Sequence, residues 1–253
     1  MEISKAKIKA IARLRDRKQR KAQGLFAVEG HKSVVDTLPH FELEMLVATA
    51  AWLSRYPDAA PPERTLTAKS ADMKQMSALS TPPDVIAVYR LPEEHIPTAE
   101  ELRGCITLLL DGVQDPGNLG TIVRSADWFG VRNIVASPGT VDILNPKAIQ
   151  STMGALSRVN VCYAPLPEFI AANRGIPLYG TLLEGESIYE ATLPAEALIV
   201  MGNEGKGLSP EVRGLLTDSL FIPPFPADAE TVDSLNVAMA TAVVLAEFRR
   251  PNG

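Results

Sequence analysis

Five short and almost wholly apolar runs constrain this chain most: Ile106–Leu110, Asn133–Ala136, Pro177–Thr181, Ala197–Met201 and Leu220–Ile222. Helical patterns separate them. Strands that lack apolar/polar alternation are buried on both faces, and alternation with helices makes the sheet mostly parallel. The spacing therefore predicts an α/β domain with helices on both sides of its sheet. In such sheets ligands bind beyond the carboxyl ends of the strands.

Ahead of this region lies a smaller α/β pattern. Strands are expected at Leu25–Val28, Glu44–Thr49 and Val85–Tyr89, with helices through Val34–Leu38 and Ser70–Leu79. Met73, Met76 and Leu79 sit at helical spacing and read as core. Residues 91–104 (LPEEHIPTAEELRG) have the prolines, acids and closing glycine of a linker. The expected division is a first domain over 1–95, a linker over 96–104 and a second domain over 105–253.

The net charge of −5 does not suggest a nucleic-acid partner, but its distribution does. Residues 1–22 hold Lys5, Lys7, Lys9, Arg13, Arg15, Arg17, Lys18, Arg20 and Lys21 against Glu2 and Asp16, a local +7 that leaves −12 for the remainder. A basic block of this density suits phosphates, and binding of that kind weakens as salt rises. Ile8, Ile11 and Leu14 add an apolar edge by which the same helix can dock. No run is long and apolar enough to span a membrane, and no apolar signal core follows the N-terminus. Cys105 and Cys162 are the only cysteines, and with His31, His40 and His95 scattered they offer no zinc-ligand spacing. These features fit a reducing, cytoplasmic setting, with no metal and no membrane partner.

Three segments carry the chemistry. In Asp111–Asp127 (DGVQDPGNLGTIVRSAD) a strand end turns into a helix, and Asn118 suits the entry. Leu119, Ile122, Val123, Ala126 and Phe129 share the core-facing arc, which leaves Thr121, Arg124 and Trp128 on the other. Arg124 is then either a solvated charge or a phosphate contact, with the Trp128 ring near enough to stack on it or on a base. In Ile199–Pro210 (IVMGNEGKGLSP) a buried strand enters a glycine loop, and Ser209 caps a helix with Pro210 at its first position. The spacing fits neither a dinucleotide fingerprint nor a phosphate-binding P-loop. The loop is a plain turn or a place where a ligand approaches the backbone, and Glu204 suits a cationic or hydroxyl group. In Phe221–Leu245 a polar loop precedes a helix that is apolar nearly all round. Such a helix must be buried; Asp233 or Ser234 is the expected cap, and Asn236, as a buried amide in its first turn, needs partners from the structure or from a ligand.

Together DGVQDPGNLGTIVRSADWFG, MGNEGKGLSP and IPP…DSLNVAMA, in that order and with NPKAIQSTMGA at 145–155 between the first two, closely resemble the SpoU (TrmH-like) RNA ribose 2′-O-methyltransferases of the SPOUT superfamily. FAVEG at 26–30 after a basic helix resembles the substrate-binding domain that many members carry, which is similar to ribosomal L30e. The resemblance implies a C-terminal trefoil knot, S-adenosylmethionine as cofactor, RNA (rRNA or tRNA) as substrate and a homodimer. By match it implies catalytic roles for Arg124, Asn118, Glu204 and Asn236. Cofactor contacts fall on Thr181, Met201, Gly202, Ile222, Leu235 and Asn236. RNA contacts are expected at Lys5, Lys7, Lys9, Arg13, Arg15, Lys18, Arg20 and Trp128. One departure is the loop over 222–234, longer than the family's usual one and carrying Asp228, Glu230 and Asp233, acids that repel phosphate. Two other readings suit parts of the chain: a non-catalytic ribosome-assembly protein that retains the fold, and a small-molecule methyltransferase. The intact polar set speaks against the first, and the basic helix and extra domain against the second.

Overall fold

The computed structural model describes residues 1–226 and 232–250. The chain divides into two compact units, Met1–Glu93 with Asp142–Ser157, and Glu94–Val141 with Arg158–Gly253.

The first unit contains α1 (Lys5–Arg13), α2 (Arg17–Gln23), β1 (Leu25–Glu29), α3 (His31–Thr37), β2 (Leu43–Ala48), α4 (Ala50–Arg55), β3 (Thr65–Thr67), α5 (Ser70–Met76) and β4 (Val85–Arg90). Its sheet has the order β1-β4-β2-β3, with β4 antiparallel to β1 and β2, and β3 parallel to β2. The basic stretch forms two helices. Asp16 accepts a hydrogen bond from the Gln19 N–H and starts α2, and Gly24 in the left-handed region ends it. Ile8, Ile11 and Leu14 are buried in one cluster with Met73, Met76, Ile86 and Val88, so the apolar edge docks α1 on the sheet.

This docking corrects one expectation. Arg20 is 3% exposed, and its Nη1 donates to the Leu14 and Arg15 carbonyls at 2.8 and 2.9 Å. Its Nη2 meets Asp142 Oδ2 at 2.6 Å. A guanidinium buried in this way holds the unit together and is not presented to RNA. Lys5, Lys7, Lys9, Arg13, Arg15 and Lys18 are exposed, although Arg15 also donates to the Gln75 and Ser77 carbonyls.

The second unit begins with α6 (Ala99–Leu102), β5 (Ile106–Asp111), α7 (Pro116–Trp128) and β6 (Asn133–Ala136). The chain then supplies α8 (Pro146–Thr152) to the first unit, where Ala148 and Ile149 are buried. That excursion is invisible to a linear boundary, because its apolar residues do not reveal which sheet they cover. Next come β7 (Asn160–Tyr163), α9 (Leu166–Ala172), β8 (Leu178–Ser187), β9 (Ala197–Gly202), α10 (Pro210–Arg213), β10 (Asp218–Phe221) and α11 (Val237–Phe248). The sheet order is β10-β8-β9-β5-β6-β7, and every pairing is parallel. β7 has no counterpart among the five apolar runs because only Cys162 of its residues is buried. Among the described residues no helix is long and apolar enough to cross a membrane.

Two helix starts differ from expectation. Asp115, not Asn118, caps α7, accepting from the Asn118 N–H at 2.9 Å with Pro116 at the first position. Asn236, not Asp233 or Ser234, caps α11, accepting from the Ala238 and Met239 N–H groups at 2.9 and 3.3 Å. In both cases the oxygen nearest the first free N–H groups wins. Nor is α11 buried all round, since Met239 is 60% exposed. Asp228 and Glu230 of the acidic loop lie outside the described residues; Asp233 is exposed.

Candidate active site

Asp111 ends β5 and accepts from the Ser209 N–H at 2.7 Å. Gly112 follows at φ +77°, a backbone conformation that favours glycine, and turns the chain out of the sheet. On the next strand, β9 ends at Gly202, where an added Cβ would lie 2.6 Å from the Gly207 carbonyl carbon. The loop therefore folds directly against that backbone. Asn203 organises it: its Oδ1 accepts from the Gly205 and Lys206 N–H groups at 3.0 and 2.9 Å, and its Nδ2 donates to the Gly112 carbonyl at 2.6 Å. Residues 202–207 thus form a stiff turn bonded to the β5 exit loop.

That stiffness aims Glu204 at the start of α7. Its carboxylate accepts from the Gln114 and Asp115 N–H groups, both at 3.2 Å, and from Asn118 Nδ2 at 2.9 Å. Asn118 Oδ1 in turn accepts from Asn236 Nδ2 at 2.9 Å. One chain of hydrogen bonds, Glu204–Asn118–Asn236, therefore joins all three segments. Burial pushes the Glu204 carboxyl upward, but the bonds from Asn118, Gln114 and Asp115 outweigh it and hold the group below its ordinary range. Glu204 is an anchor that stays ionised and not a proton shuttle near neutral pH.

Arg124 lies two turns into α7, exposed, while Leu119, Ile122, Val123 and Ala126 on the other arc are fully buried. Its guanidinium has no hydrogen-bond or ion-pair partner among the described residues. Trp128 follows on the same face and is 85% exposed. An unpaired cation beside an exposed indole, above a braced helix start, is equipped to take a phosphate and a base.

The residues expected to hold the cofactor lie on or just beyond β8, β9 and β10 and before α11. Thr181 follows the last β8–β9 pair, Gly180–Val200; Gly202 ends β9; Ile222 follows β10. Thr181 Oγ1 donates to the Val200 carbonyl at 3.1 Å. Met201 is 1% exposed, so its side chain belongs to the core and only its backbone is left for a ligand. Leu235 is 51% exposed, an apolar side chain with room for a ring against it. Asn203, Asp111 and Asp115 did not stand out in the sequence. Asn203 alone left a usable signal, since an Asn before a glycine loop favours a turn in which its side chain bonds the following N–H groups.

The sequence profile of the SpoU rRNA Methylase family matches residues 105–246, which contain every one of these residues. The chain belongs to this family. A second profile, the MRM3-like substrate binding domain, matches residues 5–87. Among SpoU relatives, the 23S rRNA (guanosine(2553)-2′-O)-methyltransferase RlmP of Bacillus subtilis is 30% identical and covers 96% of both chains. A putative RNA methyltransferase of the TrmH family from Porphyromonas gingivalis is 43% identical, with TM-score 0.88 and 99% of each chain covered. The AdoMet-bound rRNA methyltransferase of Sinorhizobium meliloti is 26% identical, with TM-score 0.85 over 99% of this chain and 97% of that one.

Proposed function

We propose that this chain transfers a methyl group from S-adenosylmethionine to a ribose 2′-hydroxyl of RNA, with ribosomal RNA favoured over tRNA. The observation that carries the reading is the Glu204–Asn118–Asn236 chain, which braces the start of the helix presenting Arg124 at the carboxyl ends of β5 and β9. Preorganised polar groups of this kind do not have to rearrange as charge develops.

Thr181, Met201, Gly202, Ile222 and Leu235 would hold the cofactor, with Met201 acting through its backbone and Asn236 closing the site from the start of α11. When bound, the cofactor supplies a methyl on a sulfonium, an electrophile that needs no further activation. Arg124 grips an RNA phosphate through its planar fork and stabilises the oxyanion that grows as the 2′-hydroxyl loses its proton. The guanidinium is not the base, because it stays protonated far above neutral pH. The proton leaves to the bound phosphate or to water as the oxygen gains the methyl. Trp128 stacks on a base nearby, and the exposed lysines and arginines of α1 and α2 hold further phosphates.

The same reading includes a trefoil knot, a homodimer and a cytoplasmic location. For the knot, β10 lies at the sheet edge, yet α11 returns to pack on α7 and β9 near the middle. A C-terminus that returns in this way is what a threaded chain requires, rare as such threading is. For the dimer, Met239 and Ala246 expose apolar surface on a helix whose other residues are buried or half-buried.

The test is transfer of labelled methyl groups from S-adenosylmethionine to unmodified large-subunit rRNA, tRNA and free nucleosides. We expect labelling of rRNA, with the label on ribose. Labelling of free nucleosides alone would overturn the RNA assignment, and absence of cofactor binding at millimolar ligand would overturn the enzyme.

A further inference from the structure

The first unit has a second built surface besides its basic helices. β1, β2 and β3 run in the same direction, so their carboxyl ends share one edge of the sheet. That edge collects His31 after β1, Thr49 and α4 after β2, and Lys69 after β3. A groove of about 570 Å³ opens there, lined by Thr49, Ala50, Thr67 and Lys69 among others.

Three aromatic rings meet at this edge. The His31 ring stacks on Tyr56 with centroids 4.5 Å apart and 27° between planes. Trp52 lies beneath, 4.9 Å from Tyr56, and its Nε1–H donates to His31 Nδ1 at 3.2 Å. That bond fixes the His31 ring and places its own proton on Nε2. The burial is graded: Trp52 is 5% exposed, Tyr56 is 38% exposed and His31 is exposed. A core cluster does not look like this. In the same unit the Phe26–Tyr89 pair is wholly buried. The outer two rings of the trio are held in register but left facing water.

The charges in these segments balance, but two of the cations are free. Lys32 and Arg55 each adjoin one of the stacked rings in sequence, are exposed and have no ion-pair partner among the described residues. Of the nearby acids, Glu2 is paired with Lys69 at 3.2 Å, Asp84 lies by Thr49 Oγ1 at 3.4 Å, and Asp58 is exposed. A two-ring platform with flanking cations is too small for a stable protein interface and suits a base between two phosphates. We propose that His31 and Tyr56 form a stacking platform for an unpaired nucleobase of the RNA substrate, with Lys32 and Arg55 on the adjacent phosphates.

This rests on the reading of the chain as an RNA enzyme, and the experiment separates the two. Binding of the full chain to a fluorescein-labelled single-stranded ribo-oligonucleotide of mixed sequence is compared with binding to an abasic oligonucleotide of equal length and charge. Tyr56→Ala and His31→Ala should each weaken binding of the first about tenfold and leave the second unchanged. Tyr56→Phe should restore binding, and Tyr56→Leu, which keeps apolar contact with Trp52 but has no ring, should not. Lys32→Ala should weaken both oligonucleotides alike. Melting curves show that each variant is folded. If Tyr56→Ala, Tyr56→Leu and His31→Ala bind the mixed oligonucleotide as the parent does, or the parent binds both oligonucleotides equally, the platform is wrong. Ring-dependent binding without any methyl transfer by the parent would leave the platform standing and sink the enzyme.

Discussion

The sites proposed for the two units share a topological location, the carboxyl ends of parallel strands, and are equipped in opposite ways. In the second unit Glu204, Asn118 and Asn236 are joined, Asn203 fastens the loop, and the Arg124 guanidinium has no partner among the described residues. In the first unit the edge offers ring faces and unpaired cations with few internal bonds. The difference reflects the tolerance of each task. Chemistry loses rate when a group shifts by an ångström, so its supports are bonded in advance. Stacking and phosphate attraction fall off gently with position and need only a rigid face of the right sign.

The comparison is broken most easily at Arg124. Arg124→Ala should lower methyl transfer by about two to three orders of magnitude while calorimetric cofactor binding stays within about twofold. Arg124→Lys keeps the charge but not the fork, and should recover only a small part of the lost rate. Near-normal turnover in both variants would remove Arg124 from the reaction.

The next effect should fall on stability and not on rate. Arg20→Ala leaves Asp142 without its buried partner and should cost the first unit about 3 kcal/mol in denaturant unfolding. Arg20→Ala with unchanged stability but weaker RNA binding would return Arg20 to the exposed basic set.

A smaller change tests the hydrogen-bond chain. Asn236→Ala removes the cap of α11, about 1 kcal/mol, together with the donor to Asn118. It should also slow turnover about tenfold, whereas Asn236→Asp, which can still cap, should recover stability but not the rate. If Asn236→Ala lowers the melting temperature alone, the chain is structural only.

Glu204 supplies a pH test. Its folded pKa lies below the ordinary carboxylate value of about 4.3. The stabilisation is therefore fully present above that value and is lost as pH falls through the lower folded one. Glu204→Gln should flatten the acid side of the stability profile, and an unchanged profile would show that the carboxylate is not held in this way. The smallest effect belongs to the exposed basic helices. Lys7→Ala and Lys9→Ala should each weaken RNA binding modestly and reduce the salt slope by about one, with stability untouched.

Much of the second unit was legible in advance, because a doubly covered parallel strand must be apolar throughout and β5, β6 and β9 meet that condition. The arc of α7 was legible for the same reason, and it put Arg124 and Trp128 on the open face. The helix caps were misread by a few residues, since several oxygens precede each helix and only backbone geometry selects one. The site residues were located by resemblance, but their connection through Asn118 was not readable, because it joins positions 86 and 118 residues apart.

The sequence by itself determined the strand and helix periods, the family and the exposed face of α7, all of which follow from local pattern. Only the tertiary structure decided that Arg20 is buried, that α8 belongs with the first unit, that Asn236 is exposed and caps α11, and that His31 meets Tyr56. Each of these depends on which distant group fills the space beside a side chain, and a one-dimensional pattern does not contain that distance.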